Sequence, residues 1–171
     1  MIKVVLLGYM ASGKSSVGKI IAERLNLDFI DLDAYIEENE GHSISNIFAE
    51  KGEIYFRIKE TEYLTELLNS ENNFVLSVGG GTPCYANNIQ LISEKAQSFY
   101  LKASLNTLYN RLKRQRKSRP LIANLKLENL KEFIAKHLFE RTSFYEQSIH
   151  SINTDDKIIN EIVEEIKDKL I

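Results

Sequence analysis

Residues 8–15, GYMASGKS, are the segment whose residue types and spacing are best suited to chemistry. They fit the pattern GxxxxGKS and lie between a short apolar run and an amphipathic helical segment, which is the context of a phosphate-binding loop. Backbone N–H groups of such a loop point at phosphate oxygens, the Lys14 ammonium offsets phosphate charge, and the Ser15 hydroxyl ligates magnesium. The residues predicted to contact a nucleoside triphosphate are Gly8, Ala11, Ser12, Gly13, Lys14, Ser15 and Ser16.

Several classes of protein share this loop, so the loop alone does not define an activity. A glycine-rich strand-to-helix turn without a ligand is the simplest alternative, and the flanking strand and helix patterns disfavour it. GTPases are expected to carry DxxG and NKxD segments, and neither occurs in the sequence. The rest of the chain must therefore indicate what the nucleotide is used for.

Two carboxylates, Asp31 and Asp33, follow the second apolar run in the segment FIDLD. Alternate residues of an extended segment point the same way, so both side chains are expected to face one cleft. One would support magnesium, directly or through water, while the other accepts the proton of an attacking hydroxyl. The alternative is that Asp33 caps the following helix. A phosphate-binding loop upstream favours the chemical role.

Three further features predict a second, anionic ligand. They are Arg57 on a helical pattern, the three consecutive glycines Gly79, Gly80 and Gly81 after a strand, and a second arginine, Arg141. Glycines let a ligand approach backbone N–H groups. The planar guanidinium matches a carboxylate, so two convergent arginines would hold a small acid. Each arginine alone would be interpreted as a surface residue or as one member of a helical ion pair, such as Arg57 with Glu60.

The segment KRQRKSRPLI, residues 113–122, places five basic residues in seven positions before Pro120. It could be a solvated basic loop, or a nucleic-acid patch in a nucleotide-dependent switch or RNA-associated module. A third interpretation is a mobile lid whose Arg119 folds over the phosphates, excludes water and neutralises charge on the transferred group. The net charge of −2 opposes the nucleic-acid interpretation.

The elements that must position these residues follow from apolar runs that alternate with helical segments. The runs expected to form strands are residues 2–7, 29–30, 74–78, 98–101 and 149–152, and helical patterns cover residues 15–25, 34–69, a segment near 89, and segments starting at 105 and 157. This alternation predicts an α/β fold with a parallel sheet covered on both faces. Ligands of such sheets bind at the carboxyl ends of the strands, where the glycine-rich loops fall.

The composition fits one domain over residues 1–171, with 43% hydrophobic residues and 22 basic against 24 acidic side chains. This balance gives no basic field that would attract nucleic acid or a membrane surface. The single cysteine, Cys84, cannot form an internal disulfide, and no apolar stretch approaches the ~20 residues of a membrane span, so we expect a cytoplasmic protein. We expect a monomer, and structural roles for Cys84, His42, His137 and His150.

Taken in order, the segments GYMASGKS, DLD, GEIYFR, GGG and RPLI resemble the shikimate kinase family, and the resemblance spans most of the 171 residues. It implies a three-layer P-loop kinase fold with a five-stranded parallel sheet, a substrate-binding segment at about residues 33–60 and a lid at about residues 112–125. It also implies ATP and magnesium as cofactors. The implied reaction transfers the ATP γ-phosphate to the 3-hydroxyl of shikimate, in aromatic amino acid biosynthesis.

The resemblance also implies roles for individual residues. Lys14 and Arg119 would contact ATP and act in catalysis, Asp33 would be the base, and the predicted metal ligands are Ser15 and Asp31. The residues expected to hold shikimate are Asp33, Arg57, Gly79, Gly80, Gly81 and Arg141.

Two details of the resemblance stay open. The adenine-stacking arginine is Arg111 or Arg114, with Arg114 preferred, and the adenine loop is expected near residues 153–155. Ala11 stands where the family usually has glycine, which is tolerable if that position needs no positive φ. A related kinase acting on gluconate or a nucleoside monophosphate is the alternative, although such an enzyme has no need for three glycines and two carboxylate-binding arginines.

Overall fold

The computed structural model describes residues 1–170 and contains one five-stranded parallel sheet. Its strands are β1 (Lys3–Leu7), β2 (Asp28–Asp31), β3 (Phe74–Ser77), β4 (Gln97–Lys102) and β5 (His150–Asn153). They lie in the order β2-β3-β1-β4-β5, and every neighbouring pair is parallel. The strand followed by the phosphate loop is therefore central. The outer strands β2 and β5 are only partly buried, and the run predicted for β2, residues 29–30, is the shortest of the five.

Eight helices cover the sheet and build its carboxyl edge: α1 (Lys14–Leu25), α2 (Leu32–Glu40), α3 (Ile44–Asn69), α4 (Asn88–Lys95), α5 (Leu105–Gln115), α6 (Pro120–Ala123), α7 (Leu127–Tyr145) and α8 (Ile159–Leu170). Short 3₁₀ turns occupy Thr82–Cys84 and Arg116–Ser118. The α/β class and the five-stranded parallel sheet predicted from the sequence are confirmed. No helix within residues 1–170 has the length and hydrophobicity that crossing a bilayer requires.

Two apolar clusters cover the two faces of the sheet, and a third lies among α5, α6 and α7. The first packs α2, α3 and α4 on one face, and the second packs α1 and α8 on the other. The third joins α5, α6 and α7 to the end of β4 and to Tyr9 of the phosphate loop. Ile122 of α6 is buried in this third cluster, so the short helix after Arg119 is anchored to α5 and α7.

The continuous helical pattern predicted over residues 34–69 is interrupted in the structure. Gly41 ends α2 with a φ of +68°, and Gly52 kinks α3 with a φ of +83°. Both values lie in the left-handed region that glycine adopts without steric cost. Apolar periodicity continues across both glycines, so it does not locate the breaks. The kink at Gly52 sets the direction of the second half of α3, which carries Arg57 and Glu60.

Gly18 allows α1 to pack closely on the sheet, and this contact gives a prediction about stability. A Cβ at Gly18 would lie 2.6 Å from the Phe29 ring and 3.1 Å from the Leu6 side chain. We therefore expect Gly18→Ala to lower the free energy of unfolding by about 1–2 kcal/mol, although alanine favours helix, because overpacking outweighs propensity. Urea denaturation measures the change.

The matched control for this substitution is Glu23→Ala, at an exposed position of the same helix, which we expect to change stability by less than about 0.5 kcal/mol. A Gly18→Ala variant as stable as the unmodified protein would show that the packing of α1 on Phe29 is not tight.

Candidate active site

A cavity of about 460 Å³ opens at the carboxyl ends of β1, β2 and β3. The phosphate loop forms its floor, α2 and the loop after β3 form one wall, and α5 with Arg119 forms the other. Of the residues predicted from the sequence, those lining the cavity are Ala11, Ser12, Gly13, Lys14, Ser15, Ser16, Asp31, Asp33, Gly79, Gly80 and Arg119. The fold therefore brings residues from four separate sequence segments to one site.

The phosphate loop is held in shape by its own lysine. The Lys14 ammonium donates hydrogen bonds to the carbonyl oxygens of Gly8, at 2.7 Å, and Tyr9, at 3.0 Å. A Cβ at Gly8 would lie 2.7 Å from the Ser12 hydroxyl and 2.9 Å from the Leu101 carbonyl oxygen, so this glycine is required by close packing. The loop closes on itself at the position where phosphate oxygens would accept bonds from Lys14.

Ala11 does not meet the condition under which alanine was expected to be tolerable there, namely that the position needs no positive φ. Ala11 has a φ of +64°, so the position does require the left-handed conformation that glycine adopts most easily. An L-residue pays a steric penalty there, of roughly 1–2 kcal/mol for alanine, because its Cβ approaches the following carbonyl. The Arg111 guanidinium donates to the Ala11 carbonyl oxygen at 2.9 Å, and this contact helps to hold the strained residue.

Asp31 and Asp33 both line the cavity, but the predicted route to that arrangement is wrong. Asp31 ends β2, whereas Asp33 already lies in the first turn of α2, so the two do not alternate along one extended segment. Asp31 is the residue that caps α2, since its Oδ1 accepts a hydrogen bond from the backbone N–H of Ala34 at 3.1 Å. The capping role considered for Asp33 thus belongs to Asp31, and the Asp33 carboxylate is left free for the cavity.

The electrostatics of the cavity shift two pKa values toward neutrality. Burial raises the pKa of Asp33 to about 6, and the like charges of Asp31 and Glu60 add to that shift. Burial also lowers the pKa of Lys14 to about 8, a shift that the Asp33 carboxylate partly opposes. A carboxylate with a pKa of about 6 is ionised at neutral pH and is still basic enough to accept a proton from a reacting hydroxyl.

Hard oxygen donors that would suit magnesium lie next to the phosphate loop. The Ser15 hydroxyl donates to Oδ2 of Asp31 at 3.4 Å, so one hydroxyl and one carboxylate converge. Within residues 1–170 no group of three or more His, Cys, Asp and Glu side chains forms a self-contained metal site. This set fits Mg²⁺, which proteins commonly bind through one or two side chains together with substrate phosphates.

Arg57 lies behind the cavity wall and is fixed by a buried acid that the sequence indicated only as a helical partner. Its NH1 donates to Oε1 of Glu60 at 2.8 Å, and Glu60 is 1% exposed. The Thr82 hydroxyl donates to the other Glu60 oxygen at 2.7 Å. The Arg57 guanidinium also stacks on the Tyr85 ring at 4.3 Å, while its Nε–H has no hydrogen-bond partner. The guanidinium is therefore held in place by Glu60 and by the Tyr85 ring.

The three glycines after β3 make room for side chains of the site. A Cβ at Gly81 would lie 2.6 Å from the Arg57 guanidinium, and one at Gly80 would lie 3.2 Å from that of Arg141. A Cβ at Gly79 would lie 3.4 Å from Oδ1 of Asp33. Each glycine thus faces a charged group, and all three charged groups converge on one loop.

Arg141 projects from α7 toward the same loop. The hydroxyl of Tyr145, one turn later, donates to the Gly80 carbonyl oxygen at 2.6 Å and ties α7 to the glycine loop. No carboxylate within residues 1–170 forms an ion pair with Arg141. Sequence reasoning missed Tyr145 and Thr82, and the only signal was that each follows a predicted site residue closely.

Two arginines reach the cavity from the chain after β4, Arg111 on α5 and Arg119 directly before α6. Arg119 donates from Nε and NH2 to the side-chain oxygen of Gln115, at 3.1 and 2.9 Å. Arg111 also lines the cavity, whereas Arg114 is exposed and does not. On the opposite wall the lining residues are Lys157, Ile159 and Ile162 rather than residues 153–155, the segment expected to form the adenine loop.

Comparison with known proteins agrees with this geometry. The shikimate kinase family model matches residues 10–171. A shikimate kinase from Flavobacterium psychrophilum is 48% identical over 165 residues, which cover 96% of each chain. The crystal structure of a shikimate kinase from Bacteroides thetaiotaomicron superposes with a TM-score of 0.92 at 34% identity, covering 99% of this chain and 98% of that one.

A second solved structure is described as shikimate kinase from Acinetobacter baumannii in complex with shikimate. It superposes with a TM-score of 0.88 at 31% identity, covering 99% of this chain and 93% of that chain. With the phosphate loop, the paired carboxylates and the convergent arginines at one edge of the sheet, these similarities lead to one conclusion. The chain belongs to the shikimate kinase family of ATP-dependent kinases.

Proposed function

We propose that the protein transfers the γ-phosphate of ATP to the 3-hydroxyl of shikimate, giving shikimate 3-phosphate and ADP. The observation that carries this proposal is the convergence of Asp33, Arg57 and Arg141 on the three-glycine loop, next to the phosphate loop. A carboxylate base and two guanidinium groups complement a small acid that carries hydroxyl groups. Membership of the shikimate kinase family supports the same acceptor.

The acceptor would bind with its carboxylate toward the arginines and its reacting hydroxyl toward Asp33. Arg57 is fixed by Glu60, and its Nε lies 3.8 Å from Oε1 of Glu53, whereas Arg141 has no competing acid within residues 1–170. Arg57 keeps guanidinium N–H groups besides the one bonded to Glu60, so both arginines can donate to an incoming carboxylate. The glycines at 79–81 give the acceptor ring close access to backbone N–H groups.

Asp33 would accept the proton of the attacking hydroxyl as the oxygen bonds to the γ-phosphorus. Lys14 and Arg119 would neutralise the charge that spreads over the γ-phosphate oxygens in the transition state. Lys14 lies at the loop, and Arg119 reaches the cavity from the lid. Positioning and charge neutralisation are therefore the main contributions of the protein to this reaction.

We infer that magnesium accompanies ATP, held on the protein side by Ser15 and Asp31. When bound, the ion supplies positive charge to the phosphate oxygens. Ser15 would orient toward it from the start of α1, and Asp31 would do so from the end of β2 while it continues to cap α2.

We infer that residues 112–125 act as the lid and that Arg111, rather than Arg114, contacts adenine. Arg111 lines the cavity and bonds to the phosphate loop, which supports this choice. Gln115 holds Arg119 by two hydrogen bonds, and Arg119 would exchange them for phosphate oxygens as the lid closes and excludes water. Residues 33–60, with Asp33 at one end and Glu60 at the other, would form the acceptor-binding segment.

The direct test of the proposed function is steady-state ADP release by the purified protein with magnesium and ATP. We expect release to depend on shikimate and to stay at background with gluconate or a nucleoside monophosphate, because neither alternative presents the same ring carboxylate and hydroxyl. A clear preference for either of the other acceptors would contradict the proposal.

Arg57→Ala should reduce kcat/KM for shikimate by at least ~30-fold, because a charge-assisted contact worth ~2 kcal/mol is lost. Arg57→Lys keeps the positive charge but not the planar fork, so we expect it to recover only part of the loss. The KM for ATP serves as the internal control and should change little. Unchanged shikimate turnover in Arg57→Ala would remove Arg57 from the acceptor site.

A further inference from the structure

The phosphate loop contains one large side chain that nucleotide binding does not explain. Tyr9 follows the first glycine of the loop and is 1% exposed, packed in the apolar cluster among α5, α6 and α7. Its backbone carbonyl accepts a hydrogen bond from Lys14, but its ring points away from that lysine's bond and toward α7. The side chain therefore links the phosphate loop to the helix that carries Arg141.

The hydroxyl of Tyr9 contacts a histidine of α7. The Tyr9 hydroxyl lies 2.8 Å from Nδ1 of His137, and the two rings meet edge to face with centroids 5.8 Å apart. Burial raises the pKa of Tyr9 to about 12 and lowers the pKa of His137, so at neutral pH the bond joins a neutral phenol to a neutral imidazole. This bond fixes α7 one helical turn before Arg141.

The ring of Tyr9 also faces the guanidinium of Arg141. The guanidinium carbon of Arg141 lies 5.8 Å from the centroid of the Tyr9 ring, within the range of a cation–π interaction. No ion pair within residues 1–170 orients this guanidinium. The groups around it are the Tyr9 ring, the Gly80 loop and the hydroxyl of Tyr145, which bonds to that loop.

We propose that Tyr9 is a positioning residue for the acceptor site. Its ring supports the Arg141 guanidinium and its hydroxyl anchors α7 through His137, so the loop that binds the phosphates also sets where the acceptor carboxylate is held. This inference rests on the proposed function, in which Arg141 binds the acceptor carboxylate. It extends that function by giving His137, expected from the sequence to be merely structural, a part in acceptor binding.

The test compares kinetic constants for shikimate and for ATP in variants of the complete protein. Tyr9→Leu removes the ring face and the hydroxyl, so we expect the KM for shikimate to rise about tenfold, as loss of a partly desolvated cation–π contact predicts. Tyr9→Phe keeps the ring and should raise it only about two- to threefold, as loss of one neutral hydrogen bond predicts. The KM for ATP should stay within about twofold in both variants, since the backbone carbonyl bonded to Lys14 is retained.

A double variant separates a specific bond from general loosening. His137→Phe should match Tyr9→Phe, and the two together should be no worse than either alone, because each removes the same hydrogen bond. Tyr63→Phe is the matched control: it removes a phenol that donates to Glu40 at 2.7 Å outside the cavity, and it should leave both KM values unchanged. Thermal denaturation of every variant reports on folding separately.

The possible outcomes separate a failure of the proposed function from a failure of the inference about Tyr9. If the unmodified protein does not phosphorylate shikimate, the proposed function fails and this inference fails with it. If it does, and folded Tyr9→Phe and Tyr9→Leu keep the shikimate KM, or raise both KM values equally, only the inference about Tyr9 is overturned. Additive effects of Tyr9→Phe and His137→Phe would likewise overturn the role of the shared hydrogen bond.

Discussion

The Lys14 ammonium and the Asp33 carboxylate line one cavity at the carboxyl edge of the sheet, and the rest of the site depends on that arrangement. Burial disfavours both charges, which is why the pKa of Asp33 rises to about 6 and that of Lys14 falls to about 8. Opposite charges in the same cavity limit each shift. As a result, the pKa values of the base Asp33 and of the Lys14 ammonium both lie close to neutral pH.

The fold holds this pair in place by means that are separate from the chemistry. Asp31 caps α2 and thereby places Asp33 in the first helical turn, facing the cavity. Lys14 is held by carbonyl groups of its own loop. On the acceptor side, Glu60 is buried with Arg57 and Thr82 as its partners, so both of its carboxylate oxygens are hydrogen-bonded before any ligand binds. The three glycines at 79–81 bring these groups within reach of one another.

Several features could be predicted from the sequence because local patterns determine them. They are the phosphate loop, the alternation of strands and helices along the chain, and the arginines and glycines near the cavity. What could not be predicted depends on backbone angles or on long-range contacts. The start of α2 at Leu32 moved the cap from Asp33 to Asp31, and the positive φ of Ala11 has no signal in the residue itself. Arg111 and Arg114 lie one turn apart on α5, so only the packing of that helix shows which faces the cavity. The contacts of Tyr9 and Tyr145 with distant segments are invisible to periodicity.

The most direct test of the account is the titration of Asp33 in the protein without nucleotide, followed by the ¹³C NMR shift of its side-chain carboxyl. We expect an apparent pKa of about 6, so that the carboxylate becomes charged only as the pH rises through that value. We also expect a lower pKa in Asp31→Asn, which keeps the helix cap but removes a like charge. Titration of Asp33 near its ordinary value of 3.8 would contradict the central claim, because the carboxylate would then be too weak a base for the assigned role.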